Sequence, residues 1–318
     1  MKIIKRTLLT IVAIVLLSII GIIAILSYRS ANYYKVVQTD KPIEAQYTAL
    51  GPYKVSDQEF DSDNAAFKKN EIWYPSDLKD SAYALPLVIM ANGTGITASK
   101  YKAVFKHLAS WGFIVVGNED ENSRTGASSS ASLDFMLRLN EDPTSDFYGK
   151  IDVDNIGIGG HSQGGVGSIN AVTKQENGSF YKAMYTASAT SSFWGQQNQL
   201  GTDWSYDVSK VQIPYFMVAG TGSFDAGTAG DITETQGQGI ASLWSLHKNY
   251  ADIPDTVTKV MARRVNTDHG DMLTHADGYM TAWFMYWLKG DVHAGDVFFG
   301  DDAEILTNAN WQDVASNR

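Results

Sequence analysis

The sequence predicts an α/β fold, a mainly parallel central sheet with helices on both faces, preceded by one apolar N-terminal helix. Three observations predict it. Short apolar runs of strand length alternate with segments of helical spacing, a glycine-framed serine lies at one strand-to-helix junction, and an uncharged apolar run follows the first cations of the chain. Continuous apolar strands interleaved with helices require a sheet covered on both faces. Right-handed crossovers leave few strand orders, and ligands of such sheets gather at the carboxyl ends of the strands.

The first element is the N-terminal run. Lys2, Lys5 and Arg6 precede an uncharged stretch from Leu8 to Leu26. As a helix this stretch reaches roughly 28 Å, close to the hydrocarbon thickness of a bilayer. Cations before it predict an inside N-terminus, with the bulk of the chain outside the cytoplasm. Residues 1–30 therefore read as a single-pass membrane anchor. The alternative is a signal peptide, cleaved to leave a secreted protein, although a signal peptide has a shorter apolar centre. Residues 31–46 read as a polar linker and residues 47–318 as the globular α/β domain.

Within that domain Ile72-Trp73-Tyr74 reads as a strand ended by Pro75, and Leu87 to Met90 and Phe113 to Val116 as buried strands. Tyr101, Val104, Phe105 and Leu108 share one face of a helix over 100–110. Further strands are expected at Ile156–Gly160, Ala183–Ala187, Tyr215–Ala219 and Thr256–Val265. Helices are expected at Ala131–Leu139, from Gln163, at Ile240–Tyr250 and at Tyr279–Leu288.

Composition narrows the chemistry. The 318 residues carry a formal net charge of -10, which repels phosphate backbones and argues against a nucleic-acid partner. The chain contains 0 cysteines, which excludes disulfides, thiolate metal sites and a cysteine nucleophile. It has no H-E-x-x-H and no G-K-[ST]. Gly157-Ile158-Gly159 begins like a dinucleotide fingerprint, but Ser162 stands where the third glycine belongs. Asp61-Ser62-Asp63-Asn64 resembles the opening of a calcium loop, yet the downstream Gly and Glu are missing, so it reads as a solvated turn.

Gly160-His161-Ser162-Gln163-Gly164 fits G-x-S-x-G, between a short strand and a helix. That setting is what a nucleophile elbow needs. Glycines permit a tight turn, the hydroxyl projects above the sheet, and the Gln163 N–H points into the site from a helix N-terminus. A hydroxyl needs a base. Of six histidines, His269 follows a strand end in Asn266-Thr267-Asp268-His269-Gly270 and is the candidate, with His275 as alternative. The orienting acid should follow an earlier strand. Asp225, in the glycine-rich turn after Tyr215–Ala219, fits. Asp231 is the alternative acid, and Asp207 lies too early. A second oxyanion donor is expected from Ala91-Asn92-Gly93-Thr94-Gly95, with Thr94 preferred over Gly95.

These residues, together with Gly51-Pro52-Tyr53, Ile72-Trp73-Tyr74-Pro75 and Leu108-Ala109-Ser110-Trp111-Gly112-Phe113, resemble the α/β-hydrolase superfamily. Within it they resemble the bacterial cutinase and polyester-hydrolase group and its chlorophyllase-like, dienelactone-hydrolase-related relatives. The resemblance covers most of the chain after about residue 48. It implies the α/β-hydrolase fold and carboxylic-ester hydrolysis through an acyl-enzyme, with no cofactor and no metal. It matches Ser162, Asp225 and His269 to the family's triad, and Thr94 and Gln163 to its oxyanion donors. The implied substrate is a small-molecule or lipid-like ester. There are departures. Gln163 stands where the polyester hydrolases usually carry Met, and Asn-Gly-Thr replaces Pro-Gly-aromatic, removing an aromatic clamp. Ala189 to Tyr206, with Phe193, Trp194 and Trp204, is a candidate substrate wall. Two other readings use the same residues: an acyltransferase with a non-water acceptor, and an inactive hydrolase-fold binding module.

Overall fold

The computed structural model describes residues 2–35, 38–228 and 239–318, with residues 2–9 described by their backbone alone. Their strands are β1 (Val55–Asp61), β2 (Lys69–Pro75), β3 (Leu85–Ala91), β4 (Ile114–Asn118), β5 (Ile151–His161), β6 (Tyr181–Ala187), β7 (Tyr215–Gly220), β8 (Lys259–Arg264) and β9 (Trp311–Ser316). The helices are α1 (Lys2–Ala31), α2 (Pro42–Thr48), α3 (Lys102–Ser110), α4 (Ala127–Glu141), α5 (Gln163–Lys174), α6 (Ser223–Ala226), α7 (Leu243–Asp252), α8 (Met272–His275), α9 (Asp277–Lys289) and α10 (Val292–Gly295). The described strands form one sheet in the order β1-β2-β4-β3-β5-β6-β7-β8-β9. From β4 to β8 all neighbours are parallel, while β1, β2 and β9 add antiparallel edges. This is the α/β-hydrolase fold.

Strand alternation builds two cores. Val88 and Met90 of β3 face one layer with α3 and α9, where Phe105, Trp283 and Phe284 are buried. Leu87 and Ile89 face the other, with Leu133 of α4, Ile169 of α5 and Leu246 of α7. Successive strand residues point to opposite faces, so one apolar run feeds both layers.

Helix α1 stands apart from these layers. Thr10–Ala31 has a mean hydropathy of 2.9, with its side chains exposed, and is long and apolar enough to cross a membrane. The segment 31–46, expected as a linker, is partly docked on the domain. Tyr33 and Ile43 are buried, and α2 packs on α9. The Glu304 carboxylate accepts the Ile43 and Glu44 N–H groups, each at 2.8 Å, which satisfies donors at the start of α2 that have no partner within the helix. Glu44 in turn accepts from Asn308 Nδ2 at 2.8 Å and Trp311 Nε1 at 2.9 Å. The polar composition that suggested a solvated linker is spent on buried hydrogen bonds.

Candidate active site

Ser162 sits at the turn from β5 to α5 with φ 58° and ψ -121°, a backbone state that costs energy for a residue with a Cβ. The turn is held by the end of β6: Ser162 N–H donates to Ala187 O at 3.0 Å, and Thr190 N–H donates to Ser162 O at 3.2 Å. A Cβ on Gly164 would lie 2.1 Å from Ala91 O, and one on Gly160 2.2 Å from Gly164 O. Both glycines are therefore obligatory for the elbow to close against β3.

Asp225 lies in the single turn of α6, just beyond the carboxyl end of β7, and is fully buried. His269 follows the adjacent strand β8 and donates from Nδ1 to Asp225 Oδ1 at 2.6 Å. With Nδ1 as donor, the neutral ring keeps Nε2 as its acceptor. The other Asp225 oxygen, Oδ2, accepts from Ser188 Oγ at 2.5 Å and from Gly220 N–H at 2.7 Å. His161, one residue before Ser162, donates from Nε2 to His269 O at 2.7 Å, and the two rings lie 4.6 Å apart. Burial, then the neighbouring His269, pushes the His161 pKa down to about 4, so His161 is uncharged at neutral pH.

The loop after β3 is tied down by Asn92, whose Nδ2 donates to Asn118 O at 2.7 Å and Asp120 O at 2.9 Å. Within it the Gly93 N–H is taken by Tyr101 Oη at 3.0 Å and the Gly95 N–H by Glu121 O at 3.1 Å. The Thr94 N–H has no partner among the described residues, whereas the Gly95 N–H is engaged. Gln163 is the first residue of α5, so its N–H has no carbonyl within the helix to bond. Its side-chain Nε2 donates to Thr94 Oγ1 at 3.1 Å and links the two donor loops.

Ser162, His269 and Thr94 line one cleft of about 410 Å³ with Ile96, Leu200, Trp204, Phe224 and Ile240. Its walls are mostly apolar, which suits an uncharged acyl or aryl group over an ionised one. From the stretch Ala189–Tyr206, Leu200 and Trp204 reach the cleft. Phe193 and Trp194 do not line it, and Trp194 Nε1 is bonded to Gly239 O at 3.0 Å. Arg124 braces this wall: Nε and Nη2 both reach Asp203 Oδ2 at 2.6 Å, and its guanidinium lies 5.2 Å from the Trp204 ring centre.

The sequence of the PET hydrolase-like family matches over residues 30–292. The chain belongs to the PET hydrolase-like family. A curated relative of this PET hydrolase-like protein, the bis(hydroxyethyl) terephthalate hydrolase of Streptomyces coelicolor, is 31% identical over 137 residues, covering 41% of this chain and 42% of the relative. The chain thus matches about two fifths of that relative's length.

The structure brings Ser162, His269, Asp225, Thr94 and Gln163 to one end of the sheet. His275 lies outside the cleft, in α8, where its Nδ1 is 3.1 Å from Asp271 O. Asp231 lies outside the described residues. Asp61 and Asp63 line a separate cleft with Asp134 and Arg138, and no group of three His, Cys, Asp or Glu able to hold a metal occurs among the described residues. Sequence reasoning missed Ser188 and the role of His161. The first has no local signal. The second stands beside Ser162, but its partner lies far along the chain.

Proposed function

We propose that this PET hydrolase-like protein is a serine carboxylic-ester hydrolase working outside the cytoplasm, tethered to the membrane by α1. The observation that carries the reading is the 2.6 Å bond from His269 Nδ1 to buried Asp225, at the rim of a cleft shared with Ser162 on a strained elbow. In the reaction, His269 Nε2 takes the Ser162 hydroxyl proton as Oγ attacks the acyl carbonyl. The Thr94 and Gln163 N–H groups hold the oxyanion. His269 then returns the proton to the leaving alcohol, leaving Ser162 acylated. Water, deprotonated by the same ring, attacks the acyl-enzyme and releases the carboxylic acid and free Ser162.

The apolar cleft and the relative's name point to a small ester of an aromatic or bulky aliphatic acid. Bis(hydroxyethyl) terephthalate is the first substrate to offer. The N-terminal cations and the uncharged length of α1 support the tether and its orientation.

The test is an ester panel on the full chain in detergent, with short acyl, long acyl and bis(hydroxyethyl) terephthalate substrates, alongside a fluorophosphonate probe. Wild type should turn over at least one ester and take one label. Ser162→Ala should lose the label and about a millionfold in kcat. Hydrolysis that survives Ser162→Ala overturns the reading.

A further inference from the structure

Asp268 occupies a position no catalytic role explains. It precedes His269, and its Oδ1 accepts three backbone N–H groups: Asp225 at 3.0 Å, Phe224 at 3.1 Å and His269 at 2.8 Å. Two of these belong to the very residues whose side chains pair through Nδ1 and Oδ1. The carboxylate therefore joins the turn after β7 to the loop after β8. The room for it is provided by Gly222, where a Cβ would lie 2.3 Å from Asp268 Cγ. Burial opposes ionisation of Asp268, but the three N–H donors and the nearby His269 hold its carboxyl below the usual range. It is thus an anion across the neutral range, next to the ring that becomes cationic during turnover.

We propose that Asp268 is a positioning residue that fixes Asp225 and His269 in register and supplies a second negative charge favouring the His269 imidazolium. This rests on His269 being the base of the proposed reaction. The charged and titratable groups facing His269 are Asp225 from α6, His161 from the end of β5 and Asp268 from its own loop; Asp271, further along that loop, is exposed. His161 is neutral, so the imidazolium meets two carboxylates. Removing one weakens the electrostatic support of the cation, which moves the acidic limb of the pH–rate profile down.

Two substitutions separate the two parts of the role. In Asp268→Asn the amide oxygen can replace Oδ1 and keep the three N–H bonds, while the charge is lost. In Asp268→Ala both are lost. The measurement is kcat and KM against pH on the full chain in detergent, with an ester that wild type hydrolyses, plus the rate of fluorophosphonate labelling. Asp268→Asn should keep kcat within about fivefold at the plateau and shift the acidic limb of kcat/KM down by roughly half to one pH unit. Asp268→Ala should lower kcat and labelling rate about thirtyfold or more with KM nearly unchanged. An Asp268→Asn limb that overlays wild type overturns the charge contribution. An Asp268→Ala kcat equal to wild type, or a loss confined to thermal stability, overturns the positioning role. If wild type itself neither hydrolyses nor labels, the serine-hydrolase reading has failed and not the role of Asp268 within it.

Discussion

Ser188 offers a sharp test of how the site is held. It is fully buried, sits just beyond β6 at φ 50°, and gives its hydroxyl to Asp225 Oδ2 at 2.5 Å. Its N–H donates to Val218 O at 2.7 Å, so the backbone is committed to this left-handed state whatever the side chain. Ser188→Ala keeps the strain and loses a hydrogen bond to a carboxylate, which costs about 2 kcal/mol. Ser188→Gly loses the same bond but relieves the left-handed strain, recovering about 1 kcal/mol. The expected order of stability is therefore wild type, then glycine, then alanine, an inversion of the usual ranking of alanine over glycine. With an m value of about 3 kcal/mol/M, the urea midpoint should fall by about 0.7 M for alanine and 0.3 M for glycine. Activity should not follow that order. Both variants leave Asp225 Oδ2 with the Gly220 N–H alone, so both should lose about tenfold in kcat at unchanged KM. The assay pairs urea unfolding with steady-state kinetics on the full chain in detergent. A glycine variant less stable than the alanine variant would refute the strain argument. A kcat equal to wild type in both would refute the claim that Ser188 orients the acid.

Further expectations concern other parts of the molecule. His107 and Asp277 lie 3.2 Å apart, both fully buried. Burial pushes the His107 pKa down to about 4, so the imidazole is uncharged at neutral pH, and it raises that of Asp277 well above the usual carboxyl range. Lowered in the fold, His107 costs stability as pH falls from about 6.5 to 4; raised in the fold, Asp277 takes up a proton on folding and offsets that cost. Asp277→Asn removes the compensation. Its stability relative to wild type should fall by about 3 kcal/mol as pH drops from 6.5 to 4, read from urea unfolding at each pH, and a parallel pair of curves would contradict the assignment. Arg124→Ala should loosen the Leu200–Trp204 wall, raising KM about fivefold for bulky aryl esters while an acetyl ester changes less than twofold. Equal effects on both substrates would remove the wall from substrate selection. Gly164→Ala should destabilise the chain by about 3 kcal/mol or more, because its Cβ meets backbone and not a side chain that can swing away; thermal unfolding by circular dichroism reads this directly.

Much of this architecture is legible in the chain. The parallel strands β3 to β8 are short apolar runs because both their faces are buried, and burial on both faces leaves an unbroken signal. The edge strands β1 and β9 are not legible. Val55–Asp61 and Trp311–Ser316 are half-exposed and carry acidic and amide side chains, so their hydrogen-bonding role is set by the neighbouring strand alone. Helix α2 is hidden for a related reason, since Glu44 reads as a solvent-facing residue until Asn308 and Trp311 arrive from the other end of the chain. At the candidate site, Ser162 is announced locally by its glycines. Asp225 and His269 follow from strand order, because β7 and β8 are neighbours and deliver their trailing loops side by side. The bonds from Ser188, His161 and Asp268 join residues from separate strand ends, and no spacing in the sequence encodes them.

The docking of the segment after α1 dictates where a version of this chain without its apolar helix can be cut. Scissors placed at residue 47 would discard Tyr33 and Ile43 and strip Glu304 and Trp311 of the groups they clasp. What remained would display a wet, sticky scar along α9. Excision between Ala31 and Tyr33 removes the greasy rod and leaves Tyr33 and the docked α2 in place.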